Sequence, residues 1–142
     1  MKNSRIIVML VCLLAGAAVL AEGLPRSASP EGAQVYFITP ADGAVLTNPI
    51  RVVFGLKEMG VAPAGTEKAN TGHHHLLVNI ESIDMNQPIA KDEQHRHFGG
   101  GQTETSIELP PGQHTLQLLL ADHLHIPHQP PVMSKKITVT VE

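Results

Sequence analysis

The sequence predicts an all-β protein, with an immunoglobulin-like β-sandwich of about seven strands after a cleaved signal peptide. Short segments with alternating apolar and polar residues are separated by stretches rich in Gly, Pro and Asn, a pattern typical of sandwiches. No internal repeat and no amphipathic helical period of useful length interrupts this pattern in the 142 residues. A chain of this length forms one domain with a buried core.

Residues 1–21 have the pattern of a signal peptide. Lys2 and Arg5 form a basic start, an apolar run follows, and small residues precede the expected cleavage after Ala21. The apolar run is too short for a retained membrane span, so we expect a periplasmic or secreted mature protein with no integral membrane segment. Cleavage also removes Cys12, the only cysteine, which leaves no disulfide and no thiolate ligand.

Residues 22–33, "EGLPRSASPEGA", are rich in Pro, Ser and Gly and predict a flexible tether. The β-sandwich domain is therefore expected to span residues 34–142. Loss of the two cations of the leader changes the formal net charge from −3 to −5. A nucleic-acid partner is disfavoured, because the chain has neither a basic stripe nor the aromatic residues that stack on bases.

The strands of the domain are identified by apolar residues at alternate positions. A first strand covers residues 35–38, and a weak strand over residues 88–91 is expected within a long polar stretch. Five further strands carry inward-facing sets that we expect to share one core. These sets are Ile50, Val52, Phe54 and Leu56; His74, Leu76, Val78 and Ile80; Thr105, Ile107 and Leu109; Leu116, Leu118 and Leu120; and Ile137, Val139 and Val141. The Cys and Trp that mark true immunoglobulin domains are missing.

Seven of the nine histidines fall in three loops that the immunoglobulin-like topology gathers at one pole. The spacing HxH occurs three times, as "HHH" from 73, "HRH" from 95 and "HLH" from 123. Side chains two apart on a strand share a face about 6.6 Å apart, which suits two imidazoles converging on one ion. Neutral imidazole suits zinc, copper and nickel. The candidate metal ligands are His73, His75, His123 and His125, with His95, His97 and His128 as alternates.

Other residues of ligand type have simpler interpretations. His74 points with the core residues of its strand and is expected to be a hydrogen-bonded core histidine. His114 is expected at the opposite pole in a structural or solvated role. Met59 and Met133 belong to loops of the histidine pole and could offer a soft ligand to Cu(I), but filling gaps in the core is the commoner role of Met.

The sequence argues against an enzyme. It contains no HEXXH motif, no cysteine nucleophile in the mature chain and no GxSxG elbow. The run "FGGGQTE" is followed by a strand and lacks the Lys of a phosphate-binding loop. A histidine brace that uses an N-terminal histidine is also excluded, because the expected mature terminus is Glu22.

Four segments carry a resemblance to a known family. "MGVAPAG", "TGHHHLLVN", "HFGGGQTETSIELPPGQHTLQLLLADHLHIPHQPPV" and "SKKITVTV" resemble a bacterial family of small exported proteins that carries a domain-of-unknown-function label. The similarity covers residues 35–141. The resemblance implies an exported β-domain with a histidine-bearing signature, and it supplies no activity, ligand or partner.

Three classes of function follow from these observations. A metal-binding module, holding copper or zinc for storage, delivery or buffering, best explains three paired histidines at one pole. A non-metal binding or adhesion module would use the same histidines for hydrogen bonding or as a pH sensor, since imidazole titrates near neutrality. An enzyme is the third class. Metal titration separates the first class from the second.

Overall fold

The computed structural model describes residues 23–142, so the predicted signal peptide lies outside the described residues. Within that range the chain forms nine β-strands, and no helix that could cross a membrane is found there. The strands are β1 (Gln34–Thr39), β2 (Val45–Leu46), β3 (Ile50–Lys57), β4 (Gly60–Val61), β5 (Thr71–Val78), β6 (His95–His97), β7 (Glu104–Ile107), β8 (Gly112–Ala121) and β9 (Ile137–Val141).

The strands form two sheets. The smaller sheet has the order β1-β3-β7, and the larger sheet has the order β2-β9-β8-β5-β4, with β6 also paired to β5. All pairs are antiparallel except β2 with β9 and β4 with β5. The start of β5 lies beside the end of β8, with His73 opposite Ala121.

The two sheets enclose one apolar core, which confirms the predicted all-β sandwich. The five inward sets meet there, and residues such as Val52, Leu76, Leu118 and Val139 are completely buried. Ile80 is an exception, because β5 ends at Val78 and Ile80 packs instead in a second, smaller cluster.

Strand β5 is buried on both of its faces. Its even-numbered residues face the core between the sheets, and its odd-numbered residues face the other side of the larger sheet. There Leu77 packs with Ile89, Leu119 and Ala121, and Ile89 comes from the long connection between β5 and β6. On the same side of the sheet, the rings of His73 and His75 pack against those of His97 and His125.

The weak strand expected over residues 88–91 is not formed, and that prediction was wrong. Pro88 has no backbone N–H, and Ile89 enters the second cluster while its N–H donates to the carbonyl of His125 at 2.8 Å. A strand forms a few residues later instead, where β6 pairs with β5 and places His97 opposite His75. The short strands β2 and β4 were also missed, since two residues carry no periodic signal.

Candidate metal centre

Four imidazoles from three separate segments converge on one point. His73 and His75 come from β5, His97 comes from β6, and His125 comes from the connection between β8 and β9. The Nε2 atoms of His73 and His75 lie 3.0 Å apart, and those of His97 and His125 lie 3.1 Å apart. Three of the residues, His73, His97 and His125, each offer one ring nitrogen, and these nitrogens lie within 4.8 Å of one another. These three residues could hold a metal ion, and His75 lies beside His73.

The arrangement of the four rings is close to tetrahedral. Five of the six distances between ring centroids fall between 4.8 and 5.1 Å, and the sixth, between His75 and His125, is 6.0 Å. A square would show two long diagonals and four short sides, whereas a tetrahedron has six equal edges. Nitrogens bound 2.0–2.1 Å from a tetrahedral ion lie about 3.3 Å apart, near the two short nitrogen–nitrogen distances seen here.

Gly99 makes room for the ring of His97. A Cβ atom at position 99 would lie 2.2 Å from Cε1 and 2.6 Å from Nε2 of that ring. The sequence pattern of the glycine run excludes a phosphate-binding loop but does not reveal its role beside the cluster. The signal was present as a residue without a side chain two positions after a candidate ligand.

A tight turn places His125 in the cluster. His125 has φ 67°, in the left-handed region, which costs a residue other than glycine about 1–2 kcal/mol. Asp122 organises this turn: its Oδ1 accepts hydrogen bonds from the N–H groups of Leu124 at 2.9 Å and Ile126 at 3.0 Å. Its Oδ2 accepts a hydrogen bond from Ser27 Oγ at 2.8 Å. The buried carboxylate therefore fixes a backbone conformation that the ligand position requires.

The cluster favours neutral imidazoles. Burial, assisted by the neighbouring histidines, lowers the pKa of His73 to about 4 and that of His75 to about 2. Burial and the charge of His125 also lower the pKa of His97. Because the neutral ring is the form that binds a metal, these three ligands are ready to bind at neutral pH.

The rings of His73 and His75 have no hydrogen-bond partner at Nδ1 among the described residues, and both atoms are buried. Metal-bound histidines usually donate this second N–H to a carboxylate or a carbonyl, which orients the ring and makes the nitrogen ligand more basic. In this cluster packing and the 3.0 Å contact between their Nε2 atoms orient the two rings. Both side chains are completely buried, as is that of the intervening His74.

Acid is expected to destabilise the metal-free fold. In the unfolded chain His73 and His75 titrate at 6.5, but in the fold their pKa values are lowered to about 4 and about 2. The unfolded state therefore binds more protons below pH 6.5, and the free energy of unfolding falls as the pH decreases toward these values. The carboxylates with lowered pKa, Asp92 and Asp122, have an ordinary pKa of 3.8 and take up protons mainly at lower pH, so they contribute little in the upper part of this window.

Urea denaturation of metal-free protein at about pH 7.5 and about pH 5 measures this effect. A double variant, His73→Gln with His75→Gln, serves as the control and should show a smaller difference between the two pH values. Equal free energies of unfolding for the unchanged protein at both pH values would contradict the expectation.

Two candidate ligands, His95 and His123, lie outside the cluster. His95 shares β6 with His97, but it lies opposite Leu77 and its Nδ1 bonds the carboxylate of Asp92 at 2.9 Å. His123 lies in the turn before His125 and lines a separate cleft with Asp122. The structure thus selects the second histidine of each of these two HxH pairs.

His128 is buried but is held by the backbone. Its Nε2 lies 3.1 Å from the carbonyl oxygen of Thr71, and its Nδ1 lies 3.4 Å from that of Leu120. Both ring nitrogens therefore face carbonyl groups rather than the cluster. His128 ties the β8–β9 connection to the start of β5.

The expectation that His74 is a hydrogen-bonded core histidine holds only in part. The ring is completely buried in the core and contacts Phe54, with 5.0 Å between ring centroids, but neither ring nitrogen has a partner among the described residues. Burial lowers its pKa to about 4, opposed only by a backbone contact at Gln102. The surroundings of the ring are mainly aromatic, since Phe98 packs in a tilted orientation against Phe54 with 4.9 Å between ring centroids.

The remaining residues of ligand type stay away from the cluster. His114 contacts the side chain of Asn79 and the carbonyl oxygen of Pro110, near the opposite end of β8. Met59 packs against the core, and Met133 is 38% exposed. Neither sulfur supplements the four imidazoles.

Part of the segment predicted to be a flexible tether, residues 22–33, is bound to the connection that carries His125. We call residues 26–29 the N-terminal strap. Ser27 of the strap donates to Asp122, as described above. Arg26 donates to the carbonyl oxygen of Pro127 at 2.9 Å and to that of His128. Backbone hydrogen bonds to Gln129 extend the contact.

Removing Arg26 from the strap is expected to weaken metal binding by about tenfold. Loss of a group that supports a metal ligand lowers metal affinity by about 10–100-fold, and this estimate takes the lower end of that range. Arg26→Ala frees two carbonyl groups of the connection and so loosens the position of His125. Calorimetric titration checks this. Arg51→Ala is the matched control, because Arg51 pairs with Glu104 on the exposed surface of the other sheet, where such pairs contribute little. Equal affinities for the two variants would show that the strap does not support the cluster.

Fold and site together define a class: an all-β sandwich with a partly buried histidine cluster, of which His73, His97 and His125 could hold a metal ion. The chain belongs to the family described as Domain of unknown function (DUF4399), which matches residues 52–142 and so includes all four clustered histidines. The predicted link to a domain of unknown function is confirmed, and export of the family stays a prediction. No curated protein matches the chain, and no solved structure matches it either.

Proposed function

We propose that the protein is an exported module that binds one copper or zinc ion through four imidazoles. The observation that carries this proposal is the convergence of His73, His75, His97 and His125 from three segments, with two nitrogen–nitrogen distances near 3 Å. Storage, delivery and buffering of the metal are the roles that such a site supports.

Closed coordination supports binding rather than catalysis. Structural zinc sites use four protein ligands, whereas catalytic sites keep a position open for water or substrate. Four imidazoles in a near-tetrahedral arrangement fill the positions of a four-coordinate ion. The cluster also contains no carboxylate that could act as a general base.

The alternative, a non-metal binding or adhesion module with pH-sensing histidines, is less well supported. A sensor needs groups that change charge between about pH 5 and 8. Burial moves the pKa values of His73 and His75 to about 4 and about 2, below that range. Three buried histidines in succession also offer no surface to a partner.

Titration calorimetry of tag-free purified protein with Zn(II), with Cu(II) and, without oxygen, with Cu(I) tests the proposal. One ion per chain is expected. No binding tighter than about 10 μM, which corresponds to roughly 7 kcal/mol, would reject a dedicated metal site. The non-metal binding module would then become the better interpretation.

Export is proposed from the sequence, because residues 1–21 have the composition of a signal peptide. Intact mass of the protein recovered from the periplasm is expected to correspond to a chain that begins at Glu22. A mass that includes the leader, or a lipid on Cys12, would overturn this part of the proposal.

A further inference from the structure

The shape of the cluster bears on which ions it accepts. We propose that the site selects closed-shell d10 ions, Zn(II) or Cu(I), over Cu(II) and Ni(II). This inference rests on the proposed metal-binding function and narrows it. It runs against the usual affinity order of the divalent ions, in which Cu(II) binds a given set of ligands more tightly than Zn(II) does.

The ring arrangement is the first argument. Cu(II) and Ni(II) favour square-planar or tetragonal coordination, whereas a d10 ion has no electronic preference and accepts a tetrahedron. In the cluster only the distance between His75 and His125 is longer than the others, at 6.0 Å. The second diagonal of a square would join His73 and His97, whose ring centroids lie only 5.0 Å apart.

A change from tetrahedral to square-planar coordination would require the imidazole rings to move, but the fold holds these rings in place. His73 and His75 are completely buried on a strand whose two edges are both paired. A packed interior resists such displacement, because the alternatives are overlaps or voids. The β5 pair therefore imposes its geometry on any ion that enters.

The other two ligands are also fixed by contacts that do not involve an ion. The strand that carries His97 continues into Phe98, whose N–H donates to the carbonyl of His74 at 3.1 Å. The carbonyl of His125 accepts the N–H of Ile89 at 2.8 Å. All four donors are thus positioned by strands and by a braced turn.

The charge of the ion determines which of the two d10 ions, Zn(II) or Cu(I), the site prefers. None of the four donors is anionic, and the group of possible ligands among the described residues contains no carboxylate. A bound ion therefore keeps most of its charge in buried surroundings, and the cost of burying charge grows with its square. This effect favours Cu(I) relative to Zn(II), although no sulfur ligand is present to add to it.

The test measures affinities of the purified protein for Zn(II), Cu(I), Cu(II) and Ni(II) by competition with chromophoric chelators, with oxygen excluded for Cu(I). We expect the tighter of Zn(II) and Cu(I) to bind at least about tenfold more tightly than Cu(II), a reversal of the divalent order. Co(II) should give the intense visible absorption of a tetrahedral complex. The ratio of Cu(I) to Zn(II) affinity, compared with the same ratio for free imidazole, identifies the preferred d10 ion.

His97→Ala is the matched variant, because it leaves three imidazoles that no longer define a tetrahedron. The preference for Zn(II) over Cu(II) is expected to shrink in this variant. Tighter binding of Cu(II) than of both Zn(II) and Cu(I) by the unchanged protein, with a tetragonal four-nitrogen electron paramagnetic resonance spectrum, would overturn the inference and leave the proposed function intact. Failure of all four ions to bind more tightly than about 10 μM would reject both.

Discussion

Replacing His97 by Ala is expected to weaken metal binding by at least about 100-fold, since loss of a supporting group alone costs about 10–100-fold and His97 is a ligand. His97 is the best position for this test because β6 lies at an edge and its ring is only half-buried, so the fold should tolerate the change. Its Nε2 lies 3.1 Å from that of His125, and its ring centroid lies 5.1 Å from that of His75.

His95→Ala is the control for this prediction. His95 has the same side chain on the same strand, two positions away, but it bonds Asp92 instead of facing the cluster. The metal affinity of the His95→Ala variant should stay within a few fold of that of the unchanged protein. Thermal unfolding of both metal-free variants shows whether the fold is intact. Equal loss of affinity in the two variants would place the metal elsewhere than in the cluster.

Replacing His74 by Leu is expected to raise the free energy of unfolding by about 1–3 kcal/mol, the penalty for burying an unpaired polar group. Both nitrogens of His74 are buried without a partner, and the ring lies among aromatic residues of the core. An apolar side chain of similar size removes the desolvation cost and keeps the packing. The change should leave metal affinity nearly unaltered, because His74 faces the core while His73 and His75 face the cluster.

Urea denaturation at about pH 7.5 measures the change in stability. His114→Leu is the comparison variant, since His114 is hydrogen-bonded to Asn79 and to the carbonyl oxygen of Pro110 and should gain nothing from the same replacement. A decrease in the stability of the His74 variant would indicate that the ring finds a partner, for example at the backbone of Gln102. A large loss of metal affinity would show that the core face of β5 also supports the cluster.

The strands that build the core could be read from the sequence, because each presents apolar residues at every second position over four or more residues. Strands β3, β8 and β9 follow this period, and their predicted inward residues meet in one core. The local spacing of His73 and His75 was sufficient as well, since two residues on one strand must share a face. These features depend only on neighbours in the chain.

The rest of the site depends on contacts between distant segments. Both HRH and HLH contain two histidines, and nothing in the local sequence distinguishes one from the other as a ligand. The register of β6 places His97, and not His95, opposite His75. The left-handed turn braced by Asp122 directs His125, and not His123, into the cluster.

Local patterns therefore account for the sandwich, its core and one half of the histidine cluster. The other half, the burial of the outer face of β5 and the role of His74 arise only from the folded chain, because the register of an edge strand and the direction of a turn follow from long-range pairing. The hydrogen bond from Ile89 to His125 joins residues far apart in the chain, and no local sequence pattern predicts it.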